Sequence, residues 1–356
     1  MSDAISIVRR HLNAKKGPGT LQPADRAARP PRALSYHARI DHLSGQIEQV
    51  QLKLLGEIAA LQNELRLVLG QMTLPAPEHW TGPPPAAPLA AGDRVFTTSA
   101  LCRQQAFELP CYRYWTERLG LPAWYHRKYW EYVYVCQALS ERGALRPGAR
   151  GLGFGVGREP LAALFASLGC RVTGTDLPPE DSAVLGWSAT AQHAAGLETL
   201  RMPAICPDAT FDGNVEFRSC DMNAIPDDLT GYDFCWSACA FEHLGSIEHG
   251  LRFVERTLDC LKPGGWAIHT TEYNVSSNGH TVAEGGTVLF RRQDMEALAA
   301  RLVAKGHAVA PLDFDPGDKP LDRYIDLPPY RAEPHLKLAL SGFVTTSFGM
   351  IIQRAV

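Results

Sequence analysis

Apolar residues recur at 3-4 spacing through Leu34 to Met72: Ile40, Leu43, Ile47, Val50 and Leu54, then, after one shift, Ile58, Leu61, Leu65 and Val68. Gln, Glu, Lys and Arg fill the positions between them, and no proline interrupts, although Gly45 and Gly56 weaken the helix. The pattern predicts a long amphipathic helix whose stripe needs a partner, and the single shift reads as a stutter in a heptad seam. The expected outcome for residues 34–72 is a short coiled coil that makes the chain a homo-oligomer. Ahead of it, residues 1–33 mix Lys15, Lys16, Arg26, Arg29 and Arg32 with Gly, Pro and Ala and are expected to stay disordered. Behind it, residues 73–94 are proline-rich, with Pro83, Pro84 and Pro85 in a row, which predicts a stiff extended linker.

From residue 95 to 145 the rings crowd together: Phe107, Tyr112, Tyr114, Trp115, Trp124, Tyr125, Tyr129, Trp130, Tyr132 and Tyr134. Helical spacing from His126 to Leu139 predicts two or three helices that form a cap, most of whose rings pack in the core. The period then switches. Strands are predicted at Arg150–Phe154, Arg171–Thr175, Val215–Ser219, Tyr232–Ser237 and Trp266–Thr271, and helices at Glu159–Leu168, Ile247–Leu261 and Arg292–Lys305. Alternation of this kind builds a parallel sheet with helices on both faces. Two late strands, Ala308–Phe314 and Phe343–Arg354, have no helix between them and predict an antiparallel pair at one sheet edge. The fold class expected for residues 146–356 is therefore α/β, a doubly wound Rossmann-like seven-stranded sheet with an antiparallel C-terminal edge. The helical cap and the N-terminal coiled-coil segment precede it.

Composition narrows the classes of function. The 45% hydrophobic content supports a sizeable core, and a net charge of −3 gives no basic face for sequence-independent nucleic-acid binding. The nine cysteines lie at irregular spacing with no C-x-x-C, which reads as reduced thiols in a cytoplasmic protein rather than a disulfide framework or zinc site. No signal peptide is expected at the start, and no stretch approaches a membrane span.

The chemistry concentrates at strand ends. Gly153-Phe154-Gly155-Val156-Gly157 follows the first strand, where glycine lets a ligand approach the backbone at the strand-to-helix turn. Its spacing differs from the dinucleotide fingerprint, whose third glycine falls on Arg158 here, and this disfavours a nicotinamide oxidoreductase. Asp176, followed by Leu177, ends the next strand about 20 residues on, where a carboxylate accepts both hydroxyls of a ribose. Asp221 follows the third strand and can accept an adenine amino group while Met222 packs on the ring. After the fourth strand, with Ser237 and Ala238 at its end, come Phe241-Glu242-His243-Leu244, and Leu261-Lys262-Pro263-Gly264-Gly265 precedes the fifth.

This ordered set resembles the class I S-adenosylmethionine (SAM)-dependent methyltransferase superfamily, particularly its small-molecule and glycan-modifying branch, over about residues 125–356. The resemblance implies SAM as cofactor, held by Gly153, Phe154, Gly155, Gly157, Asp176, Leu177, Asp221, Met222, Ser237 and Ala238. It also implies a helix before the glycine turn that closes over the methionine end, with Arg127 or Lys128 at its carboxylate and a ring such as Trp130 near the sulfonium. The sequence departs from the family at Gly151, where many members carry an acid; Glu159 or a residue of the aromatic helices is expected to replace it. Methyl transfer is an in-line displacement that needs a base when the acceptor is a hydroxyl. His243, Glu242 and Glu272 are the catalytic candidates, His243 first. His280 and Glu284 sit in the next loop, and His243, Glu272 and His280 are an alternative divalent-metal set, although no metal is expected. Trp187 and Gln192-His193 belong to a long insert, residues 178–213, that shapes the acceptor pocket or merely caps it. The expected acceptor is a sugar or surface glycan, with a natural product or small aromatic molecule, or a non-catalytic SAM-binding scaffold, as alternatives.

Overall fold

The structure, a computed structural model, describes residues 36–72, 94–178 and 193–356. The expected tail 1–33, most of the linker, and Trp187 and Gln192 of the insert lie outside the described residues. Helix α1 spans Tyr36–Met72, and its apolar side chains Leu43, Ile47, Val50, Leu54, Leu61 and Leu65 are each more than half exposed. No helix among the described residues is long and apolar enough to cross a membrane.

The α/β body runs in the order β1 Ser99–Leu101, α2 Gln104–Phe107, α3 Pro110–Arg118, α4 Arg127–Glu141, β2 Arg150–Phe154, α5 Leu161–Ser167, β3 Arg171–Asp176, α6 Asp208–Asn214 and β4 Val215–Ser219. It continues through β5 Tyr232–Ala238, β6 Gly245–Ser246, α7 Ile247–Thr257, β7 Leu261–Asn274, β8 Glu284–Gly285 and α8 Arg292–Ala304. The last elements are β9 Ala308–Val309, β10 Leu312–Asp313, α9 Pro320–Arg323, β11 Leu338–Leu340 and β12 Phe343–Gln353.

The main sheet follows the order β10-β1-β12-β7-β5-β2-β3-β4, with β9 and β11 also paired to β12. Strands β2, β3, β4, β5 and β7 are parallel. β12 runs antiparallel to β7 from Thr345 opposite Asn274 to Gln353 opposite Trp266. The mostly parallel, doubly wound sheet with an antiparallel edge is as the periodicity implies. Its strand count among the described residues is higher: ten rather than seven. The late strand expected at Ala308–Phe314 is split, β9 pairing with β12 and β10 with β1. β1, from the segment read as wholly helical, slots between β12 and β10. The physical reason is an exposed edge. β9 covers only Ile352 and Gln353 of β12, and β1 takes up free backbone groups further along it.

Period-2 alternation along the central strands feeds two cores. Phe234, Trp236, Ile268 and Ile351 face α4 and α5 on one side, while Cys235, Ala267, Met350 and Ile352 face α7 and α8 on the other. Helix α4 is unusual in being buried at every residue from Trp130 to Leu139. α4 is held between the sheet and α3, which buries even its Glu131 and Gln137. Its N-terminus is thereby brought to the carboxyl ends of β5 and β7.

Candidate functional site

The carboxyl ends of the parallel strands open into a cavity of about 720 Å³. A ligand is expected there in an open α/β sheet, outside the strand ends near the point where strand order reverses. Gly155 and Gly157 of the turn after β2 line it, both with left-handed backbone, φ 57° and 49°. A side chain on Gly155 would also come within 2.9 Å of Ala240 Cβ and 3.2 Å of Met222 Sδ. Only glycine leaves the turn both its conformation and open space in front of it.

Asp176 lies at the end of β3, its carboxylate already shaped by three backbone donors. Gly157 N and Ala194 N donate to Oδ2 at 3.0 Å, and Leu177 N donates to Oδ1 at 2.8 Å. His193 Nε2 sits 2.7 Å from Leu177 O, so the end of the insert closes this side of the cavity. Asp221 and Met222 line the wall beyond β4, and Asn223 N donates to Asp221 Oδ1 at 2.8 Å.

The first turn of α4 forms the opposite wall. His126 caps the helix, accepting from Lys128 N at 3.1 Å through Nδ1. Lys128 Nζ donates to Ala238 O at 2.7 Å and lies 3.1 Å from Glu131 and 3.3 Å from Glu159. Arg127 pairs with Glu272 at 2.7 Å. Burial pushes up the Glu131 carboxyl, but Lys128 and Arg127 overcome it and hold the group below its usual range. At Glu159 burial wins over Lys128, and the carboxyl rises to about 8. Burial likewise raises Glu272 despite Arg127. His126 falls to about 4, through burial and the neighbouring His335 and Arg127. Cys239, just past β5, adopts φ 50°, costly for a residue with a Cβ. Its thiol donates to Glu131 at 3.1 Å, and burial raises it well above its ordinary range.

Of the sequence-predicted cofactor residues, Gly155, Gly157, Asp176, Leu177, Asp221, Met222 and Ala238 line the cavity. Gly153, Phe154, Ser237 and Trp130 do not. Phe154 packs edge-on against Phe253 with ring centroids 5.3 Å apart, and Ser237 Oγ bonds His269 Nδ1 at 2.8 Å. Trp130 is turned into the core against Tyr134 at 4.9 Å. All three catalytic candidates reach the wall. Glu242 is buried and accepts from Thr271 Oγ1 at 3.1 Å, and His243 Nδ1 lies 2.8 Å from Gly286 O. His280 and Glu284 do not line the cavity, so His243, Glu272 and His280 are not brought together. Sequence reasoning missed Glu131, Cys239, His126 and His335. Only His126 carried a local signal, as a capping residue ahead of a helical run.

These residues suit a SAM molecule: Asp176 and Asp221 would accept from its ribose and adenine, and Glu159, whose Oε2 is buried with no hydrogen-bond partner among the described residues, would accept from its ammonium. The departure at Gly151 has a packing reason: a Cβ there would sit 2.4 Å from Phe234 Cζ. Gly151→Asp is therefore expected to destabilise by at least about 3 kcal/mol, through overpacking and a buried charge, rather than to restore a family contact. Thermal unfolding checks this, and a variant as stable as the parent would show that the Phe234 ring gives way.

The family described as "Methyltransferase domain" matches residues 125–310, more than half of the chain. No curated protein matches. Among solved structures, the phosphoethanolamine N-methyltransferase 2 of Haemonchus contortus is 20% identical over 46% of this chain and 35% of its own, with a TM-score of 0.31. This chain thus spans about a third of that enzyme's length. A sarcosine dimethylglycine methyltransferase from Galdieria sulphuraria is 15% identical over 64% and 84%, TM-score 0.37. The magnesium protoporphyrin IX methyltransferase of Synechocystis is 13% identical over 64% and 79%, TM-score 0.36. Likeness at these scores says nothing about the acceptor. The family match begins where α4 walls the cavity and runs through the strands that carry its carboxylates: the chain belongs to the methyltransferase domain family.

Proposed function

We propose that this chain is a class I SAM-dependent methyltransferase that O-methylates a sugar or a glycan precursor. The supporting observation is the character of the wall left over once the cofactor's acceptors are assigned. His126, Arg127, His243, Glu272, Thr287 and His335 all line the cavity, whereas the rings that would suit a flat aromatic acceptor do not. Phe107, Tyr112, Trp115, Trp130 and Tyr134 are buried in the core instead, and Tyr132 alone of the Phe, Tyr and Trp side chains reaches the cavity among the described residues. A polyhydroxylated acceptor finds hydrogen-bond partners on such a wall; an apolar ring would strand its polar groups without them.

The test is transfer of labelled methyl from SAM to three sets of probes: methyl glycosides and nucleotide sugars, simple phenols, and primary amines. Incorporation into the sugars is expected. Incorporation only into phenols or amines overturns the sugar reading and leaves the methyltransferase assignment standing.

We also propose that the chain self-associates through residues 34–72 in the cytoplasm. The exposed stripe from Leu43 to Leu65 supports it, since an apolar seam of that length is costly in water. The nine free cysteines suit a reducing compartment. Deleting residues 1–72 is expected to lower the sedimentation mass to that of a monomer while S-adenosylhomocysteine (SAH) binding is kept. An unchanged assembly state overturns the seam.

A further inference from the structure

Resting on the O-methylation reading above, we propose that His335 is the general base for the acceptor hydroxyl and that Asp326 is its positioning residue. Neither belongs to a motif, and they lie in the segment between α9 and β11, beyond the residues the family match covers.

His335 Nδ1 lies 2.7 Å from Asp326 Oδ2, and both residues are buried. The carboxylate is itself fixed: Arg331 N donates to Oδ2 at 2.9 Å and Tyr324 Oη to Oδ1 at 3.4 Å. The backbone of His335 is tied to the helical wall on both sides, its N donating to Tyr125 O at 2.8 Å and its O accepting from Arg127 N at 2.9 Å. His335 is among the residues that line the cavity. With Nδ1–H committed to Asp326, Nε2 is the nitrogen left to accept a proton. A nucleophile's base held by a third group is the arrangement that activates hydroxyls.

Sheet order places this pair at the acceptor end. The cofactor's acceptors hang from β4, β3 and β2, and neighbouring strands lie about 4.8 Å apart. His335 is joined to the start of α4, whose Arg127 reaches Glu272 at the end of β7 and Ser347 of β12. The base is therefore on the far side of β5 from the ribose carboxylate.

The other catalytic candidates on this wall are engaged differently. His243 Nδ1 faces a backbone carbonyl and Glu272 an arginine. The groups that face His335 are Asp326, Tyr330 with ring centroids 5.3 Å away, His126 at 4.8 Å, and Arg127 and Glu131 of α4. Burial lowers its pKa against the pull of Asp326, so the ring is neutral and able to accept at neutral pH.

In the step itself the acceptor oxygen bonds to the methyl carbon as the sulfur–carbon bond breaks. That electron pair goes to sulfur, leaving SAH, and the hydroxyl proton goes to His335 Nε2. The resulting imidazolium is stabilised by the Asp326 carboxylate.

The experiment has two readouts. In the SAH-bound protein, nitrogen-15 NMR is expected to show His335 as the Nδ1–H tautomer, titrating below the ordinary histidine value. An Nε2–H tautomer overturns the proposal whatever the acceptor. With whichever hydroxyl probe the enzyme accepts, sugar or phenol, His335→Gln is expected to lose about 100-fold in kcat. Its SAH affinity should be unchanged, and the acid limb of the pH profile should disappear. Asp326→Asn should lose as much, with the tautomer reversed. Unchanged kcat in His335→Gln overturns the base assignment. Acceptance of phenols in place of sugars, with His335 still required, overturns only the sugar reading. Acceptance of amines alone, with His335 dispensable, overturns both.

Discussion

Replacing Asp176 with alanine is expected to weaken SAH binding by roughly 100- to 1,000-fold. A hydrogen bond to a charged group is worth about 1.5–3 kcal/mol, and a ribose offers two hydroxyls to one carboxylate; each 1.4 kcal/mol is tenfold in Kd. The same carboxylate also holds the glycine turn against the end of the insert, through Gly157 N and Ala194 N. With Leu177 N, the substitution therefore frees three backbone donors as well and should lower the unfolding temperature by a few degrees. Asp176→Asn keeps one acceptor oxygen and should lose only about tenfold. Calorimetric titration with SAH checks the two affinities, and thermal unfolding checks the drop in temperature. Wild-type affinity in the alanine variant would remove Asp176 from the cofactor site.

The second large effect is on stability. Glu131 is wholly buried and serves four partners at once: Lys128 at 3.1 Å, Arg127 at 3.8 Å, Ser347 Oγ at 2.5 Å and the Cys239 thiol at 3.1 Å. Removing one member of a buried charge network leaves the others unpaired in a low-dielectric interior, which typically costs about 3–5 kcal/mol. Glu131→Ala should accordingly melt roughly 10 °C below the parent. The pH dependence follows from the direction of its shift. The folded pKa lies below the ordinary 4.5, so the unfolded chain binds the proton more readily. The Glu131 contribution is then complete above about pH 4.5 and is lost as pH falls through the folded value. A Glu131→Ala melt within a degree or two of the parent at pH 7 would show that the network is not what holds α4 against β5 and β12.

Much of the cofactor half was legible along the chain because each part lies where a local signal changes. The glycines stand where a strand pattern meets a helix pattern, and Asp176 and Asp221 stand just past apolar runs. The acceptor half was not legible in the same way. Lys128 and Trp130 are two positions apart on one helix, and the sequence offers either as the cavity-facing residue. The choice rests on how α4 is rotated against the sheet. A helix buried on every face has no amphipathic phase to read, so Trp130 was expected at the sulfonium and is found in the core. The strand β1 is three residues long and carries no readable period. It is a strand because β12 left an edge open.

What the sequence by itself determined is the alternation of the central strands and helices, the doubly wound sheet, and the place of the glycine turn and of Asp176 and Asp221 at the strand ends. These depend on periodicities of 2 and 3.6 residues and on residue types at strand ends, which are local properties. Tertiary structure alone decided the charge network at the start of α4 and the pairing of Asp326 with His335. Glu131, Ser347 and Cys239 are more than a hundred residues apart in pairs, and His335 reaches the cavity only because its backbone bonds to Tyr125 and Arg127. Contacts of that range depend on how elements pack, and no spacing within a segment records them.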